Sequence, residues 1–221
     1  IFRLNLGETT DKEICHNSVI LRDKVAVALD CKTNYLCISG GEDCQEITAT
    51  TKIKINPNSR KEIMKAIAEE MADCWWQFGE GKIDYSRACV GPSQAQVCES
   101  PKSACAVCSI VDFEDIPQAG QPISYRELYD YLRTTKKTNS QTYLQYLYSE
   151  NDVDFISQDY LKKNFDIDKQ YFILTAVLNE GVLSYTPFLR FYNEKYHSPI
   201  ILERTSKNFE PIGCEEYVTK A

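Results

Sequence analysis

The chain has 221 residues, 43% hydrophobic and 26% charged, with a formal net charge of −7 and a pI near 5.0. That composition supports a sizeable core and excludes intrinsic disorder, while the acidity argues against a nucleic-acid binder, which needs a concentrated basic face. No stretch approaches the roughly 18 consecutive apolar residues of a membrane-spanning helix, so contact with a membrane is expected only through a segment ahead of Ile1.

In chain order, the first elements read as short strands: Ser18 to Arg22, Val25 to Leu29 and Tyr35 to Ser39, ended by Gly40-Gly41. Thr50 to Ile55 alternates as an edge or half-buried strand would, and Pro57 stops it. From Asn58 or Ser59 to about Phe78, the residues Ile63, Ile67, Met71, Cys74, Trp75 and Phe78 recur at helical spacing, with Lys61, Lys65, Glu69 and Asp73 elsewhere on the wheel. Gly79 and Gly81 supply the stop. Glu80 to Ala104 reads as a long loop carrying Cys89 and Cys98, of a length expected only where a loop is functional or stapled down.

Cys105 to Phe113 reads as a strand. Ser124-Tyr125-Arg126-Glu127 is a capping box that opens a helix through about Thr134. A second short helix is expected from Ser140 to Tyr148 and a helical turn from Ser157 to Asn164. The basic residues Arg133, Lys136, Lys137, Lys162 and Lys163 fall at helical spacing and read as solvated faces. The last third returns to strands: Gln170 to Leu178, the turn Asn179-Glu180-Gly181, Val182 to Tyr192 as the second arm of a hairpin, then Ile200 to Glu203. Strands first, helices in the middle and strands last predict an α+β fold. The expected architecture is an antiparallel sheet with a long central helix and two or three shorter ones, braced by disulfides. It is read as a single domain over 1–221, with a strand-rich lobe over 1–56, a helix-loop-helix core over 57–165 and a C-terminal hairpin region over 166–221.

The ten cysteines are the strongest compositional signal, because an even count at this density belongs to compartments where thiols are oxidised. Cys15, Cys31, Cys37 and Cys44 form one group; Cys74, Cys89, Cys98, Cys105 and Cys108 form another; Cys214 stands alone. If all pair within the chain, the simplest solution closes the first four among themselves and ties Cys214 to the central five. Roughly nine hundred pairings remain formally open. The start at Ile1 rather than Met, taken with the cysteines, leads to the expectation of a removed signal peptide or anchor and an extracellular or cell-surface location. No Asn-x-Ser/Thr acceptor is present.

Cys105-Ala106-Val107-Cys108 is the one short motif with chemistry of its own, as a redox pair or half of a zinc site. A thioredoxin-type pair opens a helix, whereas a strand-like segment follows here, and a matching second pair for zinc is missing. Serine hydrolysis lacks its nucleophile elbow, phosphate binding lacks a glycine-rich loop, and Glu69 with Glu70 or Glu215 with Glu216 read as solvated surface. His16 and His197 sit in polar, turn-like sequence. The string Cys74-Trp75-Trp76-Gln77-Phe78-Gly79-Glu80-Gly81 is the most distinctive. Trp75 fits the apolar stripe, while Trp76 and Gln77 beside the cross-linked loop are the first choice for a recognition surface. Six of the fourteen tyrosines fall between Tyr125 and Tyr148, and those helices, with Tyr125 and Tyr129, are the second.

Cys15-His16-Asn17-Ser18, the Cys74 to Gly81 string, Cys105-x-x-Cys108 and Ser124 to Tyr131 resemble elements of uncharacterised archaeal proteins predicted to be membrane-anchored. The resemblance implies an exported domain behind an N-terminal hydrophobic segment and transfers no activity. The sequence as a whole is read as a non-catalytic extracellular binding or structural domain, a cell-surface ectodomain or a subunit of an extracellular assembly. It is expected to have protein partners or to self-associate, and to need no cofactor or metal. The alternatives are a thiol-disulfide oxidoreductase using Cys105 and Cys108, and a zinc-stabilised module.

Overall fold

Thr10 and Glu13 cap each other, the Glu13 amide donating to Thr10 Oγ1 at 3.2 Å and the Thr10 amide to Glu13 Oε2 at 2.9 Å, and this reciprocal pair starts a helix. The computed structural model describes residues 10–22, 27–56, 58–86, 88–90, 97–99, 103–116, 123–178, 196–205 and 214–220. Its first elements are α1 (Asp11–Arg22), β1 (Asn34–Ser39), β2 (Thr51–Lys54) and α2 (Arg60–Gln77). Strand signals at Ser18 to Arg22 are thus overturned: Val19-Ile20-Leu21 is an apolar run inside α1, where Cys15 and Val19, one turn apart, are the buried pair and Leu21 is half exposed. Of the expected strand Val25 to Leu29, residues 25 and 26 lie outside the described residues and 27–29 carry no regular structure.

Ser59 caps α2 by accepting from the Glu62 amide, and the helix ends at Phe78, whose amide bonds back to the Cys74 carbonyl. Gly79 and Gly81 then adopt φ of 78° and 70°. A Cβ at Gly79 would meet Ile83 at 2.8 Å and one at Gly81 would meet the Trp75 ring at 2.9 Å, so both the left-handed backbone and the space require glycine.

The loop expected after α2 contains a small hairpin of β3 (Ala88–Val90) and β4 (Val97–Glu99), with Cys89 and Cys98 as register partners. There follow β5 (Ser103–Glu114), β6 (Ile123–Ser124), α3 (Tyr125–Thr134), α4 (Tyr143–Tyr148), α5 (Gln158–Leu161), β7 (Asn164–Phe165), β8 (Tyr171–Leu178), β9 (Tyr196–Glu203) and β10 (Glu216–Tyr217). Ser124 with Glu127 opens α3 and Thr142 with Gln145 opens α4, both as complete capping boxes. The hairpin arm expected over Val182 to Tyr192 lies outside the described residues; β8 is flanked by β5 and β9.

One sheet takes β1 and β2 together with the C-terminal strands, in the order β2-β1-β5-β8-β9, and β10 pairs with the first part of β5. The expected antiparallel pairing holds for β5 with β8 and β8 with β9, but β1 runs parallel to both β2 and β5, and β10 parallel to β5, so the sheet is mixed. The parallel pairing of β1 with β5 needs a long crossover, and the segment containing α2 supplies it. Helix α2 packs on β5, β8 and β9, while α1, α3 and α4 pack on α2. Ile63, Ile67 and Met71 of α2 join Leu36, Ile38, Val111, Ile173 and Ile201 of the sheet and Leu128, Leu132 and Leu144 of the outer helices in one core.

Two features tie the layers together. The register of β5 shifts between Val107 and Ser109, and consecutive residues there reach the same helix: Cys108 is bonded to Cys74, and the Ser109 hydroxyl donates to Glu70. A regular pleat would send them to opposite faces, so the bulge is what lets both touch α2. On the outer strand β9, the Pro199 carbonyl accepts from the Tyr148 hydroxyl at 2.5 Å and the Ile201 carbonyl from the Tyr160 hydroxyl at 2.6 Å. Buried phenols thus satisfy backbone acceptors of the last strand in the order of the described sheet.

Candidate recognition surface

The disulfides fix what the cysteines can do. Cys15 pairs with Cys31, Cys37 with Cys44, Cys74 with Cys108 and Cys105 with Cys214, and no cysteine is free among the described residues. The first four close among themselves and Cys214 joins the central group, the simplest of the solutions that parity allows. Cys105 and Cys108 do not pair with each other. One sulfur goes to α2, the other to the segment beside β10, and both residues are at most 1% exposed. A redox CxxC needs an accessible sulfur and a partner thiol within the motif, so the oxidoreductase reading loses its basis. With those sulfurs engaged in bridges, the motif offers no thiolate to zinc.

Glu70 is 3% exposed, a correction to its reading as solvated surface. It receives Lys12 Nζ at 2.7 Å, Asn34 Nδ2 at 2.9 Å and the Ser109 hydroxyl, so its charge is paired and both of its oxygens accept hydrogen bonds. Burial pulls the Lys12 ammonium down, but Glu70 and Asp73 outweigh it and raise its pKa. This cluster joins α1, α2, β1 and β5 and is satisfied within itself. His197 lies on β9, 8% exposed, and burial pulls it down to about 4, so its imidazole is neutral.

Of the four residues expected on a recognition surface, three are core: Gln77 is 3% exposed, Tyr125 4% and Tyr129 0%. Tyr125 lies against Tyr160 and Phe165, and the Tyr129 hydroxyl is 3.1 Å from that of Tyr148. Trp76 is the exception and remains partly open. His16 of α1 stacks on it with ring centroids 3.9 Å apart and planes 15° from parallel. His16 Nδ1 is 2.7 Å from the Trp76 carbonyl, and because a carbonyl only accepts, Nδ1 carries the hydrogen.

One turn further along, Glu80 accepts from the Tyr146 hydroxyl of α4 at 2.8 Å and pairs with Lys82 at 2.7 Å. The Lys82 hydrogen bond, with that of Tyr146 and the nearby His16, holds its carboxyl below the usual range. His16, Trp76, Glu80 and Tyr146 therefore form an aromatic and acidic patch drawn from α1, α2, the turn that follows it and α4. The sequence signals for it were Trp76 and the tyrosine-rich helices; the partnership of His16 with Trp76 had none, since 60 residues separate them. Elsewhere, a cleft of about 390 Å³ beside the end of β9 is lined by Lys162, Lys163, Asn164 and Glu203 with Tyr125 and Tyr160. The rings at its base are at most 4% exposed, so it presents a polar rim rather than an aromatic wall.

Among the described residues, no group of three or more His, Cys, Asp or Glu is placed to hold a metal, and no helix is long and apolar enough to cross a membrane. Compared with family models, curated proteins and solved structures, the chain matches none.

Proposed function

We propose that the chain is a non-catalytic domain acting outside the cytoplasm, as a binding or structural module of a cell-surface protein or an extracellular assembly. The observation that carries this reading is the divergence of Cys105 and Cys108 into two buried bridges, one to Cys74 and one to Cys214. Cysteines used in this way are braces, and braces of this kind form and persist in oxidising compartments. The partly open Trp76 with its His16 stack, flanked by Glu80 and Tyr146, supports a contact surface for protein partners or for self-association.

Labelling intact cells of the native source with a membrane-impermeant amine reagent tests the location, with labelling after lysis as the reference. The reading expects the full-length protein to be labelled before lysis, and labelling only after lysis overturns it. Light scattering on the purified domain, wild type against Trp76→Ala, reads whether the patch mediates self-association.

A further inference from the structure

Lys137 stands out among the exposed lysines because its ammonium is held by rings. Its Nζ is 5.8 Å from the centroid of Tyr143 and 5.9 Å from that of Tyr146, both within cation–π reach. Among the described residues it has no carboxylate partner, in contrast to Lys12, Lys65 and Lys82 nearby. The segment that carries it is fixed: the Lys137 and Thr138 amides both donate to the Gln141 carbonyl, and the Tyr143 amide donates to the Thr135 carbonyl. The side chain is thus presented to the two rings by a closed loop.

The rings are well suited to a cation. Tyr146 donates its hydroxyl hydrogen to Glu80, which pushes electron density into the ring and deepens its negative face. Burial, with Glu69 and Asp73 behind it, pushes the Tyr143 phenol up to about 12. The neighbouring carboxylates are already engaged: Glu69 by Lys65 at 3.7 Å, Asp73 by Lys12 at 2.9 Å and Glu80 by Lys82 at 2.7 Å. Tyr143 is 6% exposed and Tyr146 partly open with Lys137 over both rings, so a guest reaches ring surface where Lys137 now sits, beside carboxylates already ion-paired. That favours a cation with no hydrogen bonds to donate, and disfavours a primary ammonium, which would lose hydration without gaining partners.

We propose that the faces of Tyr143 and Tyr146 form a binding site for a quaternary ammonium group, occupied in the resting protein by Lys137, which a ligand displaces. The assignment rests on the binding-module reading, but the tests are separate: surface labelling decides where the protein acts, whereas ligand shifts decide whether the rings take a cation.

The test is an NMR titration of the Tyr143 and Tyr146 ring signals with choline and with its uncharged isostere 3,3-dimethylbutan-1-ol, in wild type and in Lys137→Met, which keeps the apolar stem and removes the charge. The expected result is saturation by choline at about tenfold lower concentration in Lys137→Met than in wild type, with no comparable shift from the alcohol. Equal choline affinity in the two proteins, or equal response to the alcohol, overturns the proposal. Tyr146→Leu is expected to abolish the choline response; a folded variant that keeps it also overturns the proposal. If Tyr146→Leu does not fold, the comparison of Lys137→Met with wild type decides alone. Phosphatidylcholine vesicles in place of choline distinguish a lipid headgroup from a free solute as the source of the group.

Discussion

Removing the bridges one at a time tests whether they act as braces on the unfolded chain. Each pair is replaced by two alanines, giving four variants, and the chain-entropy relation sets the scale from loop length alone. The separations of 109, 34, 16 and 7 residues for Cys105–Cys214, Cys74–Cys108, Cys15–Cys31 and Cys37–Cys44 give losses of about 5, 4, 3 and 2 kcal/mol. The same two sulfurs leave in every variant, so the cavity contribution shifts all four in the same direction, and the wide gap between the longest and the shortest loop is the comparison that decides. At roughly 2 to 4 °C per kcal/mol for a chain of this length, Tm falls by about 10 to 20 °C without Cys105–Cys214 and about 4 to 8 °C without Cys37–Cys44. Urea unfolding followed by tryptophan fluorescence, with calorimetry for Tm, reads both. A loss at Cys37–Cys44 equal to or greater than that at Cys105–Cys214 would refute the reasoning.

Glu70→Ala leaves Lys12 without its buried partner and is expected to cost about 3 kcal/mol in urea unfolding, whereas the adjacent Glu69→Ala, on a half-exposed side chain, stays within about 0.5 kcal/mol. Tyr148→Phe and Tyr160→Phe each remove a hydroxyl from a carbonyl of β9 and should cost about 1 to 2 kcal/mol by the same assay, with the half-exposed Tyr217→Phe near zero. His197 is held below its ordinary value by burial, so the folded state binds fewer protons than the unfolded one at acid pH. Its contribution is complete above pH 6.5 and is lost as pH falls from there towards 4, by about 3 kcal/mol at the limit. The His197→Leu variant should therefore lose about that much less stability than wild type between pH 6.5 and 4, read from urea midpoints; parallel curves for the two would contradict it.

The elements with both a cap and a periodic stripe were legible in the sequence. Ser59 with the Ile63-Ile67-Met71 stripe placed α2, and Ser124 with Glu127 placed α3. Helix α1 was misread because the contiguous apolar residues Val19-Ile20-Leu21 outweighed a capping box, Thr10 with Glu13, that stood in plain sight. Strand direction was not legible at all: alternation in β1 and β2 reports which face is buried, not whether the neighbour runs parallel.

At the candidate site, the adjacency of Trp75 and Trp76 gave the right division, one ring into the core and one partly open. Gln77 beside the cross-linked loop and Tyr125 and Tyr129 on tyrosine-rich helices read as a contact surface, because tyrosine is favoured at interfaces, yet all three are core. Tyr129 finds its partner in Tyr148, and Tyr148 in turn reaches β9, so the polar end of a tyrosine is satisfied inside the protein. Glu70, read with its neighbour Glu69 as solvated surface, is likewise satisfied inside the protein. Its partners Lys12, Asn34 and Ser109 come from three other elements, and the last of them depends on a bulge that leaves no local mark.

Proteolysis under non-reducing, acidic conditions followed by mass spectrometry of the linked peptides tests most directly that the sulfurs are braces. A peptide joining Cys74 to Cys108 and another joining Cys105 to Cys214 is the predicted result. A Cys105–Cys108 link, or either residue recovered as a free alkylated thiol, would contradict it.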